Sequence, residues 1–257
     1  MPILETKGLT KYFGGLPAVR NLDLVINEGE IVGLIGPNGA GKTTAFNVIS
    51  GYFKPTEGQV FFKGEEITGL KMDKIAKRGL VRTFQHSTLF TDMTVMENMV
   101  VARHLHTKMN FFADMFNTSS TLLKWQELKD NIHNILDYMG LSEVEKIKAG
   151  SLPYGYQRLL GVAIALAVEP TVILLDEPVT GMNNEETKLM VSKVEGIRER
   201  GVTVLLVEHH MRVVMNVCDR IYVLNFGEKM AEGLPEEISK NEEVIKAYLG
   251  AQYASRN

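Results

Sequence analysis

The chain opens with short bursts of alternating apolar and polar positions. Leu4 to Leu9, Ala18 to Ile26 and Ile31 to Ile35 read as strands, punctuated by Gly14-Gly15 and Asn27-Glu28-Gly29. Gln59-Val60-Phe61-Phe62 predicts another short strand, and Val81-Arg82-Thr83-Phe84-Gln85 a further extended piece. The period then changes. Residues 94 to 139 lose strand alternation and carry helical spacing, as at Ile132, Ile135, Leu136 and Met139, with Phe111 to Thr121 as a less regular surface excursion. Strand character returns at Val172 to Leu175 and Val202 to Val207, with a helix over Asn184 to Arg200 between them, and again at Ile221 to Leu224. Buried apolar strands alternating with helices predict an α/β fold with a parallel-type sheet covered by helices. The helical stretch interrupts that sheet as an insertion. No internal repeat or low-complexity tract is present.

Composition narrows the setting. At 257 residues the chain holds one large domain or two small ones, and its apolar and charged fractions are those of an ordinary globular protein. A net charge of −3 gives no basic surface for nucleic acid, so none is expected as a partner. The single cysteine, Cys218, excludes an internal disulfide and fits a reducing compartment. No charged stretch followed by an apolar one opens the chain, so no signal peptide is expected. The apolar run Leu159 to Val168 is far short of the ~20 residues that span a bilayer. A soluble protein is expected, which would work at a membrane only by docking on something embedded there.

The candidate chemistry is concentrated at Gly36-Pro37-Asn38-Gly39-Ala40-Gly41-Lys42-Thr43, which fits the phosphate-binding pattern G-x-x-x-x-G-K-[ST]. An apolar strand-like run, Ile31 to Ile35, leads in. A helix-like run, Thr44 to Ile49, leads out. Glycines let the backbone wrap tightly enough to aim several N–H groups at phosphate oxygens, and the following helix adds its positive end. In this pattern Lys42 reaches the β- and γ-phosphates and Thr43 ligates Mg²⁺.

Val172-Ile173-Leu174-Leu175-Asp176-Glu177 is an apolar strand ending in two carboxylates. In a P-loop fold such an Asp holds Mg²⁺ directly or through water, and the adjacent Glu177 is placed to polarise an attacking water as general base. Val204-Leu205-Leu206-Val207-Glu208-His209-His210 is a third strand ending in polar residues. Strand ends on one edge of an α/β sheet converge on the ligand crevice, where His209 would contact the γ-phosphate. His210 reads as a surface or packing residue.

With these segments in place the chain resembles the ATP-binding subunit of ABC transporters. The resemblance rests on the Walker A segment above, Gln85 as Q-loop, and the signature-like Leu152-Pro153-Tyr154-Gly155-Tyr156-Gln157. It continues through Walker B ending at Asp176-Glu177, a D-loop at Gly181-Met182-Asn183, and His209 as switch histidine, all in family order. A finer resemblance is to the first of the two ATPase subunits of branched-chain amino acid importers. It is carried by Tyr12-Phe13-Gly14-Gly15-Leu16, Val81 to Gln85, Leu89 to Asn98 and Ala247-Tyr248-Leu249-Gly250. Related subunits for urea or short amides share much of it.

The resemblance implies a P-loop NTPase core of ABC type with an antiparallel N-terminal β subdomain. Residues 1–85 and 166–257 would form the core and β subdomain, and 86–165 a helical subdomain that meets the membrane subunits. It implies ATP and Mg²⁺ as ligands, with Phe13 stacking on adenine and Thr44 adjoining the phosphates beside Thr43. Gln85, with Thr43 and Asp176, would attend the metal or the attacking water. Residues 152–157 would bind ATP held by a second ATPase subunit, identical or paralogous. Transmembrane permease subunits would be direct partners and a solute-binding protein an indirect one, with the chain on the cytoplasmic face of the membrane. The sequence departs from the family at Pro153, where Ser is usual and where proline offers neither hydroxyl nor backbone N–H. Tyr156 stands where Gln is usual, and Leu159, Gly161 and Ile164 where Arg, Glu and Arg are expected. ATP on this chain's own loop should be competent, whereas ATP held by the partner against Pro153 should be bound or hydrolysed less well. Two other function classes fit parts of the pattern. A non-transport ABC ATPase would need a long insert or a second ATPase domain. A nucleotide-binding regulator without turnover would not need Glu177 and His209.

Overall fold

The computed structural model describes residues 1–83, 89–106 and 119–254 of the chain, and within these the side chains of all but 104–106, 119–124 and 249–254. Phe84, Gln85 and most of the 111–121 stretch lie outside the described residues. Two compact units are present. The first comprises Met1–Arg82, Thr171–Pro178 and Val194–Asn257, and the second Thr83–Pro170 and Val179–Lys193.

The first unit holds two sheets. Strands β1 (Pro2–Phe13), β2 (Leu16–Asn27), β4 (Glu57–Phe62) and β5 (Glu65–Glu66) form an antiparallel sheet in the order β2-β1-β4-β5. Period-2 patterning explains β2: Leu22, Leu24 and Ile26 are buried while Asp23 and Val25 face out. The second sheet runs β10-β9-β3-β8-β7-β6. Its strands are β3 (Ile31–Ile35), β6 (Leu80–Arg82), β7 (Val172–Asp176), β8 (Thr203–Val207), β9 (Arg220–Asn225) and β10 (Glu228–Gly233). All pairs are parallel except β9 with β10. Every residue of β3, β7 and β8 is buried, which is why these strands read as unbroken apolar runs. Helix α1 (Lys42–Ile49) supplies Phe46 and Ile49 to a core shared with Leu22, Leu24, Leu205, Val207 and Leu224. The two sheets are also tied by polar contacts. The Tyr222 hydroxyl donates to Val25 O at 3.0 Å and accepts from Val25 N at 3.1 Å.

The second unit is helical. After the short helix α2 of the first unit (Met72–Ala76), the chain forms α3 (Val95–His106), α4 (Ser119–Met139) and α5 (Tyr154–Ala167). Thr94 opens α3 with a capping box: Thr94 N donates to Glu97 Oε2 at 2.7 Å and Glu97 N donates to Thr94 Oγ1 at 3.2 Å. Leu128, Ile132, Leu136 and Met139 are the buried stripe of α4. The apolar run from Leu159 lies in α5, whose Leu159, Leu160, Val162 and Ala163 are buried. The chain continues through α6 (Asn184–Glu199), α7 (Met211–Val217), α8 (Pro235–Lys240) and α9 (Glu242–Ala254). No helix among the described residues is long and apolar enough to cross a membrane.

Candidate functional site

The loop from Gly36 to Gly41 joins β3 to α1 and is shaped by glycines at the two points where the backbone leaves no room. Gly36 has φ +153°, and a Cβ there would lie 2.2 Å from Leu224 O. Gly41, which caps α1, has φ +96°, and a Cβ would lie 2.3 Å from Ala18 O. Gly227 seals the base of the loop: its N–H donates to Ala40 O at 3.0 Å and its carbonyl accepts from Arg20 N at 2.8 Å. Ala40 is buried, Pro37 half-buried, and Asn38 and Gly39 exposed at the crest. Thr43 is exposed and Thr44 half-buried in the first turn of α1, beside its N-terminal N–H groups.

Lys42 is the buried cation of this loop, 7% exposed. Its Nζ donates to Gly36 O at 2.7 Å and to Pro37 O at 2.9 Å, which curls the side chain back over the loop. Burial pushes its pKa below the usual lysine value, and the charges of Glu177 and Asp176 oppose that shift. The ammonium therefore lies in the field of both carboxylates at the end of β7.

Asp176 is 3% exposed and carries a salt bridge from Arg82 Nη2 to its Oδ2 at 2.8 Å. Glu177 follows in a left-handed conformation, φ +48°, with its N–H donating to Val207 O at 2.9 Å. A non-glycine residue held there costs about 1–3 kcal/mol of backbone strain, which clusters at functional sites. That turn aims the Glu177 carboxylate at the end of β8, where Oε1 lies 3.5 Å from His209 Nδ1. The His209 backbone is fixed by Glu208, a fully buried carboxylate. Glu208 Oε2 accepts from His209 N at 3.1 Å, from His210 N at 3.3 Å, and lies 3.1 Å from His210 Nδ1. His210 caps α7. Glu208, His209 and His210 bring ligand-type atoms within 4.8 Å of one another, but that nitrogen-rich set suits softer metals than Mg²⁺.

The loop residues, Lys42, Asp176, Glu177 and His209 thus gather at the ends of β3, β7 and β8. The cradle lined by Gly36 and Gly41, the α1 N-terminus and the buried ammonium match what a polyphosphate needs. The oxygen donors Thr43 and Asp176 match a hard divalent cation. Phe13 ends β1 at 45% exposure, edge-on to Phe53 with centroids 5.2 Å apart, and Lys11 Nζ lies 5.3 Å from its ring centre. Gln85 lies outside the described residues. Arg82 and Glu208 were not singled out as site residues in the sequence. Their only signal is a charged residue at the end of an apolar strand.

The signature-like segment lies in the second unit. Pro153 is the N-cap of α5 with an extended backbone. Gly155 packs so closely on Glu186 that a Cβ would lie 2.5 Å from its Oε1. The Tyr154 ring lies over Gly181, and its hydroxyl accepts from Arg158 Nε at 2.8 Å. Gln157 Nε2 donates to Leu152 O at 2.9 Å, closing the turn before the helix. Tyr156 is 38% exposed.

Comparison with known proteins fits this arrangement. The family model described as ABC transporter matches residues 19–180, and one described as branched-chain amino acid ATP-binding cassette transporter matches residues 228–254. The high-affinity branched-chain amino acid transport ATP-binding protein BraF of Pseudomonas aeruginosa is 46% identical over 252 residues, covering 97% of this chain and 98% of that protein. The corresponding protein LivG of Escherichia coli K12 is 44% identical over 250 residues, with 97% and 98% covered. A solved ABC transporter cassette in its ADP conformation superposes with a TM-score of 0.85 at 31% identity, covering 97% of this chain and 99% of that one. A dimeric cassette in a post-hydrolysis state bound to ADP and Pi superposes with a TM-score of 0.77 at 27% identity, covering 90% and 98%. The chain belongs to the ABC transporter family, as one of its ATP-binding, ATP-hydrolysing cassettes.

Proposed function

We propose that this cassette energises a membrane transporter for branched-chain amino acids, working as one of a pair of ATPase subunits on the cytoplasmic face of the membrane. The observation that carries the reading is the gathering of a buried Lys42, the Asp176–Glu177 pair and His209 around one phosphate loop, with Glu177 Oε1 3.5 Å from His209 Nδ1. The names of full-length relatives at 44–46% identity supply the solute class.

The roles follow from placement. Asn38, Gly39 and Gly41 turn backbone N–H groups toward the β- and γ-phosphates, Gly36, Pro37 and Ala40 shape the loop, with Ala40 N donating to Pro37 O at 3.1 Å, and Lys42 exchanges its two carbonyl partners for phosphate oxygens. Thr43 and Asp176 would hold Mg²⁺, with Thr44 beside them, and Gln85 would attend the ion or the water. A divalent cation held there would supply positive charge against the phosphates in the transition state. Glu177 accepts a proton from water as the water oxygen bonds the γ-phosphorus, and the bond from that phosphorus to the bridging oxygen breaks so that ADP leaves with that oxygen. His209 contacts the transferred phosphate and orients Glu177. Phe13 offers its exposed face to adenine.

Pro153 to Gln157 complete the site of a second cassette, and Pro153 weakens that contribution through its missing N–H. The helical unit, residues 86–165 in the sequence-based division, meets the permease subunits. A solute-binding protein acts upstream of them.

The test is reconstitution of the chain with its permease subunits, partner cassette and solute-binding protein in liposomes. ATP hydrolysis should rise when the binding protein carries leucine and not when it carries an unrelated solute. Hydrolysis indifferent to branched-chain amino acids would overturn the solute assignment.

A further inference from the structure

The metal assignment proposed above calls on two oxygens from elements far apart in the chain: Thr43 from α1 and Asp176 from the end of β7. One side chain joins those elements. Arg82 ends the edge strand β6, which pairs in parallel with β7 so that Arg82 lies opposite Leu174. Its guanidinium is a fork. Nη2 donates to Asp176 Oδ2 at 2.8 Å, while Nη1 donates to the side-chain oxygen of Asn47 and lies 3.4 Å from Ser50 Oγ. Asn47 lies within α1 and Ser50 caps its C-terminus. The Phe46 ring, also on α1, lies beneath the guanidinium with 4.8 Å from its carbon to the ring centroid.

This contact is desolvated, with 10% of the Arg82 side chain and 2% of the Asp176 side chain exposed. A carboxylate that attends a metal depends on the groups bonded to it for its orientation, and removing such a partner costs about 10- to 100-fold in metal affinity or activity. A planar guanidinium holds its nitrogens in a rigid fork that spans partners on two elements, whereas lysine offers one point of charge on a flexible stem.

We propose that Arg82 is a positioning residue for the metal. It fixes the Asp176 carboxylate through Oδ2 and ties it to the helix that carries Thr43, and so sets the affinity of the nucleotide-bound cassette for its divalent cation. This rests on the assignment of Asp176 to the metal proposed above.

The experiment titrates Mn²⁺ into the full chain carrying a non-hydrolysable ATP analogue, following free Mn²⁺ by electron paramagnetic resonance. Analogue affinity without metal is measured alongside. Arg82→Lys, which keeps the charge but loses the fork, should raise the Mn²⁺ Kd about 10-fold or more. Asn47→Ala, which loosens the guanidinium and leaves the ion pair, should raise it by a smaller factor. Metal-free analogue affinity should stay within about 2-fold of wild type in both, since neither residue is in the phosphate loop. A wild-type Mn²⁺ Kd in folded Arg82→Lys, or equal losses with and without metal, would overturn the proposal. If Arg82→Lys does not fold, an unchanged Mn²⁺ Kd in Asn47→Ala overturns it alone. Asp176→Asn separates the two levels. If that variant binds Mn²⁺ as wild type, the metal assignment itself fails. If it weakens Mn²⁺ while the Arg82 and Asn47 variants do not, only the positioning role fails.

Discussion

Gly41→Ala and Gly39→Ala place the same methyl two residues apart in the phosphate loop, into opposite surroundings. Both glycines have positive φ, +96° at Gly41 and +80° at Gly39. Adopting left-handed backbone costs an L-residue about 1–2 kcal/mol, and alanine's stiffer unfolded chain returns about 0.4–1 kcal/mol of it. At Gly39 nothing lies within 4 Å of the added carbon, so the net cost is only about 0–1.5 kcal/mol. At Gly41 the added carbon would lie 2.3 Å from the backbone oxygen of Ala18 and 3.3 Å from Gly227 Cα. Neither is a flexible side-chain tip, so the sheet must shift, adding an overpacking cost of about 1–3 kcal/mol. Gly41→Ala should therefore lose about 1–4.5 kcal/mol, which at about 2–4 °C per kcal/mol lowers the melting temperature by roughly 2–18 °C. Gly39→Ala should stay within about 5 °C of wild type on the same scale. Thermal melts without nucleotide isolate this structural term from binding. Equal shifts for the two variants, or a Gly41→Ala melt within about 2 °C of wild type, would refute the packing argument.

Lys42→Met should weaken ATP binding by roughly 10- to 100-fold, the equivalent of one charge-assisted contact, when measured by calorimetry. Because burial already disfavours the Lys42 ammonium, the nucleotide-free protein should melt no lower than wild type, and a lower melt with retained affinity would contradict that reading. Cys218 is 6% exposed, and burial, with Asp219 and Glu208 adding to it, pushes its pKa from 9.0 up to about 12. The native thiol should resist a disulfide reagent at pH 8 and react only on unfolding; rapid native labelling would show that the site opens. The stability gained by burying a neutral thiol is full below pH 9 and is lost as pH rises toward about 12.

Much of the parallel sheet was legible because its strands are buried on both faces. Ile31 to Ile35 and Val172 to Leu175 could hardly be anything but core strands once turn residues and carboxylates bounded them. The first two strands were legible on either side of Gly14-Gly15 as Leu4 to Leu9 and Ala18 to Ile26, and each runs further, to Pro2–Phe13 and Leu16–Asn27. What escaped has a physical reason in each case. Glu228 to Gly233 forms an exposed edge strand, so its sequence carries no apolar alternation. The helices Met211–Val217 and Pro235–Lys240 are only seven and six residues long, and packing rather than pattern fixes their ends. The phosphate loop announced its own flanking strand and helix, because its chemistry is local. Arg82 did not announce Asp176, which is 94 residues away; only the pairing of β6 with β7 brings them together. Glu208 likewise read as one more polar residue at a strand end, although its buried carboxylate holds the backbone of the His209 loop.

Glu177 is the proposed base of the ATP-hydrolysing site at the ends of β3, β7 and β8. Glu177→Gln keeps the shape of the side chain and removes its ability to take a proton. ATP turnover should fall by about 100-fold or more, the range that general-base catalysis supplies, while ATP affinity stays within a few-fold of wild type. Turnover that survives Glu177→Gln would contradict the account.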